Sequence, residues 1–423
     1  MDAEILSIGD ELTSGQRLDT NSQWLAERLG EIGVRALYHT TVADDLDANL
    51  RVFRAAAERA DVVIATGGLG PTADDLTREV LASLIGAELI LHEDIVEHIR
   101  GLFARFGRPM PEKNTVQALF PVGSRVIPNP TGTAPGIALD VPRAGKPPSR
   151  IFALPGVPSE MFRMWNDTVG PELARLSGSP QVIRHRLIRC FGVSESELEG
   201  RLPDLIRRGR APSVGITVSA ATITLRITAQ GSSDAECQAL MDPTAATIYE
   251  CLGNVVFGEG DDELENVVSK LLTERSLTLA TAEWGTAGLV AHKMHEAAPS
   301  PGPYTGGVVA MSPESLERLL GVSPDLIAAH TATSGEVVAA MARGCRERMG
   351  SDLALAVSQF PDVTPRAKTP ERLHLALATP DDVIVRSAPH FGSPDILTTR
   401  AAKQALNLVR LVLLEGASNK SAS

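Results

Sequence analysis

Two adjacent carboxylates, Asp74 and Asp75, close a glycine-rich turn, Gly67-Gly68-Leu69-Gly70-Pro71-Thr72. The turn follows Asp61-Val-Val-Ile-Ala-Thr66, a short β-branched apolar run that reads as a buried strand, and Leu76 to Leu84 then reads as a helix. Strand, glycine turn and helix place free backbone N–H groups and a positive helix end at the C-terminal edge of a parallel sheet. That setting suits a phosphate or another anionic group. Asp74 and Asp75 would repel a bare phosphate, so the pattern calls for a bridging Mg²⁺-like ion or a ligand with hydrogen-bond donors. The competing reading is an ordinary βα turn with an aspartate helix cap.

The elements around this turn alternate in type. Ala3–Ile8 reads as a strand, Asn21–Ile32 as a helix with Gly33 at its end, Val34–Thr41 as a strand and Leu46–Arg59 as a helix. Thr77–Ile85 continues the helix after the turn, and Glu93–Phe106 is a further amphipathic helix. Strand–helix alternation predicts an α/β fold with a parallel sheet and right-handed crossovers. Asp10 and Glu11 end the first strand, which brings them to the sheet edge that carries the glycine turn. The stretch from Ser124 to Pro158 is dense in Gly and Pro and reads as stiff turns; Ser159 to about Leu173 reads as a closing helix.

After a small-residue break at Arg175–Pro180 the texture changes. Val182–Cys190, Val214–Val218 and Ala221–Ala229 read as strands, with helices over Ser194–Ile206, in capping-box spacing, and Ser232–Cys251. This small α+β unit carries no catalytic constellation, and its Arg184-His-Arg186 and Arg207-Arg208-Gly-Arg210 clusters read as solvated faces. A third unit starts at Asp261. It alternates helices with strands at Thr278–Ala282, Gly306–Met311 and Leu353–Val357, pairs Leu373–Ala378 with Val383–Ser387, and closes with a helix over Thr398–Leu414. The polar tail Glu415–Ser423 reads as disordered.

The 423 residues are 43% hydrophobic with a formal charge of −12, which suits a soluble multidomain protein and disfavours nucleic acid or an anionic membrane surface as partner. Cys190, Cys237, Cys251 and Cys345 lack metal-ligand spacing and read as free thiols in a reducing compartment. No basic region followed by an apolar core opens the chain, and no apolar run approaches a membrane span. The expectation is a cytoplasmic protein with no membrane partner.

Taken in order, Ser7-Ile-Gly-Asp10-Glu11-Leu12, Thr20-Asn21, Thr66-Gly-Gly-Leu-Gly-Pro-Thr72 with Asp74-Asp75-Leu-Thr77, Gly107-Arg-Pro-Met-Pro111 with Asn114, Asn129-Pro-Thr-Gly-Thr-Ala-Pro-Gly136 and Leu154-Pro-Gly-Val-Pro-Ser-Glu-Met161 closely resemble the CinA family of competence/damage-inducible proteins. The resemblance spans nearly the whole chain. It implies a MoaB/MogA-like molybdopterin-binding fold over residues 1–175, a KH-like α+β domain over 181–258 and a CinA C-terminal domain over 261–415. It also implies a homodimer.

Two activities come with it. The N-terminal domain of such proteins is associated with divalent-metal-dependent hydrolysis of the pyrophosphate of ADP-ribose, and the C-terminal domain with deamidation of nicotinamide mononucleotide. The first fits the residues. Asp74 and Asp75 would hold Mg²⁺ or Co²⁺ and carry catalysis; the N–H groups of Gly67, Gly68 and Gly70 would face phosphate. Asp10, Glu11, Asn21, Pro71, Thr72 and Asn114 would complete the nucleotide pocket, with Asn21, Thr72 and Asn114 serving sugar or base. The second does not fit. Where the family carries Ala-Glu-Ser-Cys-Thr-Gly-Gly, this chain has Ala282-Glu283-Trp284-Gly285-Thr286-Ala287-Gly288, and the expected tyrosine and lysine fall on Met311 and Leu316. A glycine loop has become Ser358-Gln-Phe-Pro-Asp-Val-Thr-Pro365. Three reacting side chains and a loop are missing together, which points to an inactive site. A molybdopterin- or nucleotide-binding protein without turnover, and a regulatory protein with protein partners, are the other readings of the chain.

Overall fold

The computed structural model describes residues 1–105, 107–178, 182–207, 209–297, 301–362, 371–390 and 394–420. The chain packs as two compact units, Met1–Arg184 with Ala229–Leu240, and His185–Thr228 with Met241–Ser423.

The first unit follows the predicted alternation. β1 (Asp2–Ile8), α1 (Asp10–Thr13), α2 (Thr20–Glu31), β2 (Arg35–Val42), α3 (Leu46–Arg59), β3 (Val62–Thr66) and α4 (Thr77–Ile85) come first. Then come β4 (Leu89–Leu91), α5 (Glu93–Arg105), β5 (Leu119–Pro121), β6 (Arg125–Ile127), β7 (Gly136–Arg143), β8 (Lys146–Leu154), α6 (Pro158–Met164) and α7 (Gly170–Leu176). The main sheet runs β2-β1-β3-β8-β7-β6. Its β2-β1-β3-β8 part is parallel, as expected, but β7 and β6 join antiparallel. β3 reads as unbroken apolar sequence because it has a core on each face: Val63 and Ala65 pack on one, Val62 and Ile64 on the other.

The expectation of turns from Ser124 to Pro158 is corrected here, since that stretch holds a β-hairpin and its inner strand is central to the sheet. Pro147 and Pro148 hid it. They lie at the far end of β8, outside the Arg150–Leu154 segment that pairs with β3, so they remove no N–H from that parallel ladder. Asp10 and Glu11 likewise do not end a strand. Gly9 follows β1, and both residues form the first turn of the short helix α1.

A four-stranded sheet, β10-β11-β9-β12, is built from β9 (Val182–Cys190), β10 (Ser213–Ser219), β11 (Thr222–Gly231) and β12 (Val256–Glu259), with α8 (Glu195–Arg201) and α9 (Asp234–Leu252). Arg186 forks onto Glu259 at 2.7 and 2.9 Å and reaches Asp242, so this cation is engaged within the protein.

The rest of the chain forms a five-stranded sheet, β14-β13-β15-β16-β17. Its elements are α10 (Leu264–Glu274), β13 (Leu279–Glu283), α11 (Leu289–Ala297), β14 (Tyr304–Val309), α12 (Pro313–Leu320), α13 (Pro324–His330) and α14 (Gly335–Met349), then β15 (Leu353–Val357), β16 (Arg372–Ala378), β17 (Val383–Pro389) and α15 (Pro394–Lys420). The tail expected to be disordered is helical as far as Lys420; residues 421–423 lie outside the described residues. α15 is fastened by buried cations: Lys403 Nζ donates to Thr222 and Glu263, and Arg410 donates to the carbonyls of Asn254 and Val256. Among the described residues no helix is long and apolar enough to cross a membrane.

Candidate functional site

The C-terminal edge of the parallel strands opens on a cleft of about 570 Å³. Ile8, Glu11, Asp44, Gly67, Gly68, Leu69, Gly70, Pro71, Asp74, Asp75, Gln117 and Glu160 are among the residues lining it. Beside it lies a recess of about 40 Å³, room for a water, whose wall includes Asn21, Thr66 and Gly156.

The glycine turn forms one wall, and its peptide orientations are set by α4. The Gly67 carbonyl accepts from Thr77 Oγ1 at 2.9 Å, and the Gly68 carbonyl from the Thr77 N–H at 3.1 Å. The Leu69 and Gly70 carbonyls accept from the two terminal nitrogens of Arg78, at 2.5 and 3.2 Å. Four successive carbonyls are therefore turned towards the start of α4. In a trans peptide the N–H points opposite the carbonyl, so the N–H groups of Gly68 and Leu69 point away from it. Among the described residues neither has a partner within the chain. Glycine is required where the turn begins. Gly67 has φ 110° and Gly68 φ 65°, and a Cβ would meet the Ile8 carbonyl at the first and the Thr77 hydroxyl at the second.

Two of the three N–H groups expected to face phosphate have other work. Gly67 N–H donates to the Leu154 carbonyl at 3.0 Å, and Gly70 N–H to Asp75 Oδ1 at 2.7 Å. Leu69 N–H, unlike these two, has no partner among the described residues. Asp75 is also redirected: its Oδ2 accepts from the Thr72 N–H at 2.9 Å and from the Thr72 hydroxyl. With both oxygens engaged by the turn, Asp75 holds the loop closed, which is nearer to the capping reading than to the metal-ligand one. Thr72 serves the same loop closure through its N–H and hydroxyl. Asp74 is exposed, and the Thr72 side chain, for whose hydroxyl it competes with Asp75, together with its own backbone N–H, holds its carboxyl below the usual range.

Further carboxylates reach the cleft from α1 and from the segment before α3. Asp10 N–H donates to Asp44 Oδ2 at 2.9 Å and Asp44 N–H to Asp10 Oδ1 at 3.1 Å, so each carboxylate fixes the other's loop. Burial, then the negative charges of Asp10, Asp74 and Glu11, push the Asp44 carboxyl above its usual range against the bond from Asp10 N–H. Asp44 is a member that motif reading missed; Ala43-Asp44-Asp45 looks like a helix cap, and Asp45 does cap α3. A raised carboxyl pKa means that the folded protein binds the proton more tightly than the unfolded chain. Its stability contribution is present below the unfolded value and is lost as pH rises through the folded pKa. Asp44→Asn is thus expected to raise the melting temperature at pH 7 and to leave it unchanged near pH 3. A melting temperature that falls at pH 7 would contradict the mutual repulsion of these carboxylates.

Asn114 and Asn21 support the walls. Asn114 is buried and donates to Gln117 Oε1 at 2.8 Å; Gln117, not Asn114, lines the cleft. Asn21 Nδ2 donates to the Gly156 carbonyl at 2.9 Å and to Thr66 Oγ1 at 3.2 Å, at the recess. A further wall carries Glu160, held by Asn129 Nδ2 at 2.6 Å; Asn129 Oδ1 in turn accepts from the Thr131 and Gly132 N–H groups. Arg17 is the one basic residue lining the cleft among the described residues.

The cleft's lining carboxylates, Glu11, Asp44, Asp74, Asp75 and Glu160, are hard oxygen donors of the type that divalent cations take. Among the described residues no three His, Cys, Asp or Glu side chains converge as an all-protein cage would.

In the second unit, the end of β13 is organised by Glu283. Its buried carboxylate accepts from Thr286 Oγ1 at 2.6 Å and from the N–H groups of Gly288, Val290 and Ala291 at 2.8 to 3.1 Å. Trp284 packs beside a core cluster, Leu316 is fully buried and Met311 is exposed. The Phe360 ring lies where a Cβ on Gly285 would go. Ser312 caps α12, accepting from the Ser315 N–H at 3.2 Å.

The family profile described as "Probable molybdopterin binding domain" matches residues 4–175, that of the damage-inducible protein CinA KH domain residues 185–258, and that of the CinA C-terminal domain residues 261–413. A CinA-like protein of Frankia casuarinae is 38% identical over 423 residues, covering 98% of this chain and 96% of its own. Another, of Dictyoglomus thermophilum, is 37% identical over 372 residues, covering 88% of each. The solved structure of CinA from Thermoplasma acidophilum is 33% identical over 40% of this chain and 96% of its own, with a TM-score of 0.36. With a molybdopterin-binding-like domain, a KH-like domain and a CinA C-terminal domain in one chain, this protein belongs to the CinA-like family.

Proposed function

We propose that the first unit hydrolyses the pyrophosphate of a nucleotide such as ADP-ribose, with Mg²⁺ or Co²⁺ held at its acidic wall. The observation that supports this most is the glycine turn, whose Gly68 and Leu69 line the cleft beside Glu11, Asp44 and Asp74 and whose two N–H groups have no partner among the described residues. Two adjacent N–H groups of this kind suit phosphate oxygens, and carboxylates beside them need a cation between. When bound, that cation would neutralise phosphate oxygens and acidify a bound water. The chain's own residues do the rest. Gly68 and Leu69 would donate to the phosphates, and one or two of the carboxylates Asp74, Asp44 and Glu11 would hold the cation together with phosphate and water. Asp10 and Asp75 brace the two loops, while Asn21, Gln117 and Glu160 offer polar groups to sugar and base. Water adds at one phosphorus, the P–O–P bond breaks, and AMP and ribose 5-phosphate leave.

In this reading the C-terminal domain does not deamidate nicotinamide mononucleotide. Trp284, Met311 and Leu316 bring no nucleophile or base, and Phe360 fills the space over Gly285. Ser312 serves as a helix cap.

The test is release of AMP from ADP-ribose by the full chain with Mg²⁺, with Co²⁺ and with a chelator. Turnover with metal and none with the chelator is the expected result. Binding of ADP-ribose without turnover in either metal would favour a binding protein, the reading that the molybdopterin-binding family match also suits. Ammonia released from nicotinamide mononucleotide would overturn the assignment of the C-terminal domain.

A further inference from the structure

We infer that Arg78 favours the ligand's phosphates from behind the glycine loop: a buried guanidinium that holds the Leu69 and Gly70 carbonyls and sets a positive charge behind the Gly68 and Leu69 N–H groups, whose own peptides Thr77 orients. The inference rests on the reading of the cleft as a nucleotide-phosphate site.

Arg78 is 2% exposed and does not itself line the cleft. Its fork reaches the carbonyls of Leu69 and Gly70, two residues that do line it. Its Nε is buried without a partner, and no carboxylate lies within ion-pair distance among the described residues. Asp75 and Glu79 act on it only from farther off. Burial lowers its pKa to about 10, so it stays charged at neutral pH. A buried cation with only carbonyl partners is costly, and the loop alone does not explain it: a neutral amide could satisfy a carbonyl.

An anion at the Gly68 and Leu69 N–H groups would supply the missing negative charge across one layer of backbone. The lining carboxylates Glu11, Asp44, Asp74, Asp75 and Glu160 repel phosphate, and a fixed positive charge behind the N–H groups works with the bound cation against that repulsion. Arg78 sits in the first turn of α4, so its charge adds to that of the helix end. Nothing in the local sequence marks it. Thr77-Arg78-Glu79 reads as an ordinary solvated helix start.

The test compares Arg78→Lys and Arg78→Gln in the full chain with Mg²⁺, reading the affinities of ADP, AMP and adenosine by calorimetry. Each replacement reaches at most one carbonyl, so both lose the fork and only Gln loses the charge. Arg78→Gln is expected to weaken ADP by about tenfold or more, AMP less and adenosine by less than about twofold, because a fixed charge acts in proportion to the ligand's own. Arg78→Lys should keep most of the preference for ADP over adenosine. Equal losses for ADP and adenosine, or no loss in folded variants, would assign Arg78 to loop structure alone and overturn the inference.

A wild-type chain that binds none of the three overturns the nucleotide reading and this inference with it. If neither variant folds, the wild-type chain labelled with ¹⁵N-arginine decides. The buried Arg78 Nε–H signal should move on addition of inorganic pyrophosphate and stay in place with adenosine; a signal that ignores pyrophosphate refutes the role.

Discussion

Replacing Asp44 and Asp74 together by Asn should lower kcat/KM for ADP-ribose by roughly two to three orders of magnitude, the effect of losing several kcal/mol of charge stabilisation in the transition state. The two residues approach the cleft from different loops, and Asp74 is among the charges that raise the Asp44 carboxyl. Removing both leaves Glu11 as the remaining carboxylate of the cation's side. Raising Mg²⁺ should recover part of the activity, since a weakened site is refilled by mass action. Asp75→Asn provides the contrast. It removes charge from a carboxylate that accepts from Gly70 N–H, Thr72 N–H and the Thr72 hydroxyl, so the loop loosens and added Mg²⁺ should not restore turnover. Initial rates across a Mg²⁺ titration separate the cases. If the double variant keeps more than about a tenth of the activity, the acidic wall is not the cation site.

Glu283→Ala should give the largest loss of stability of any single change in the C-terminal domain, about 4 kcal/mol or more. A buried carboxylate disappears and leaves four donors, from Thr286, Gly288, Val290 and Ala291, without partners. Three are backbone N–H groups where α11 begins, so the damage is to the helix start and not to one contact. Glu283→Gln keeps the shape and part of the acceptor capacity, and should fall between Ala and wild type. Calorimetric unfolding of the full chain reads both. A Glu283→Ala chain whose unfolding matches wild type would show that water replaces the carboxylate at this turn. Nucleotide binding in the first unit should not change, which makes it a control for global misfolding.

Local periodicity carried the long elements. Leu46–Arg59, Val182–Cys190 and Leu353–Val357 are read to the residue, because each is amphipathic or uniformly apolar at one period and bounded by clear stops. It failed where prolines share a strand, in β8, and at the short helix α13, which opens on Pro324 and carries only Leu326 and Ile327 as large apolar residues. It also failed at the chain's end, where a polar segment continues a helix begun by apolar residues far upstream.

The same division runs through the site. The sequence by itself determined that a strand–glycine turn–helix unit with acidic residues exists, since φ-permissive glycines, β-branched strand residues and capping carboxylates are local chemistry. Tertiary structure decided which group does what. Asp74 and Asp75 are neighbours of one type, yet Asp75 folds back onto the turn while Asp74 faces outward. Asn114 acts through Gln117, and Gly67 gives its N–H to the neighbouring strand. Asp44 comes to the cleft from the loop before α3, and Glu160 from the first turn of α6. Arg78 turns out to be a buried cation although it sits in a polar stretch. A hydrogen bond or a desolvated charge is a property of the space around a side chain, and that space is assembled from segments whose separation in sequence hides their contact.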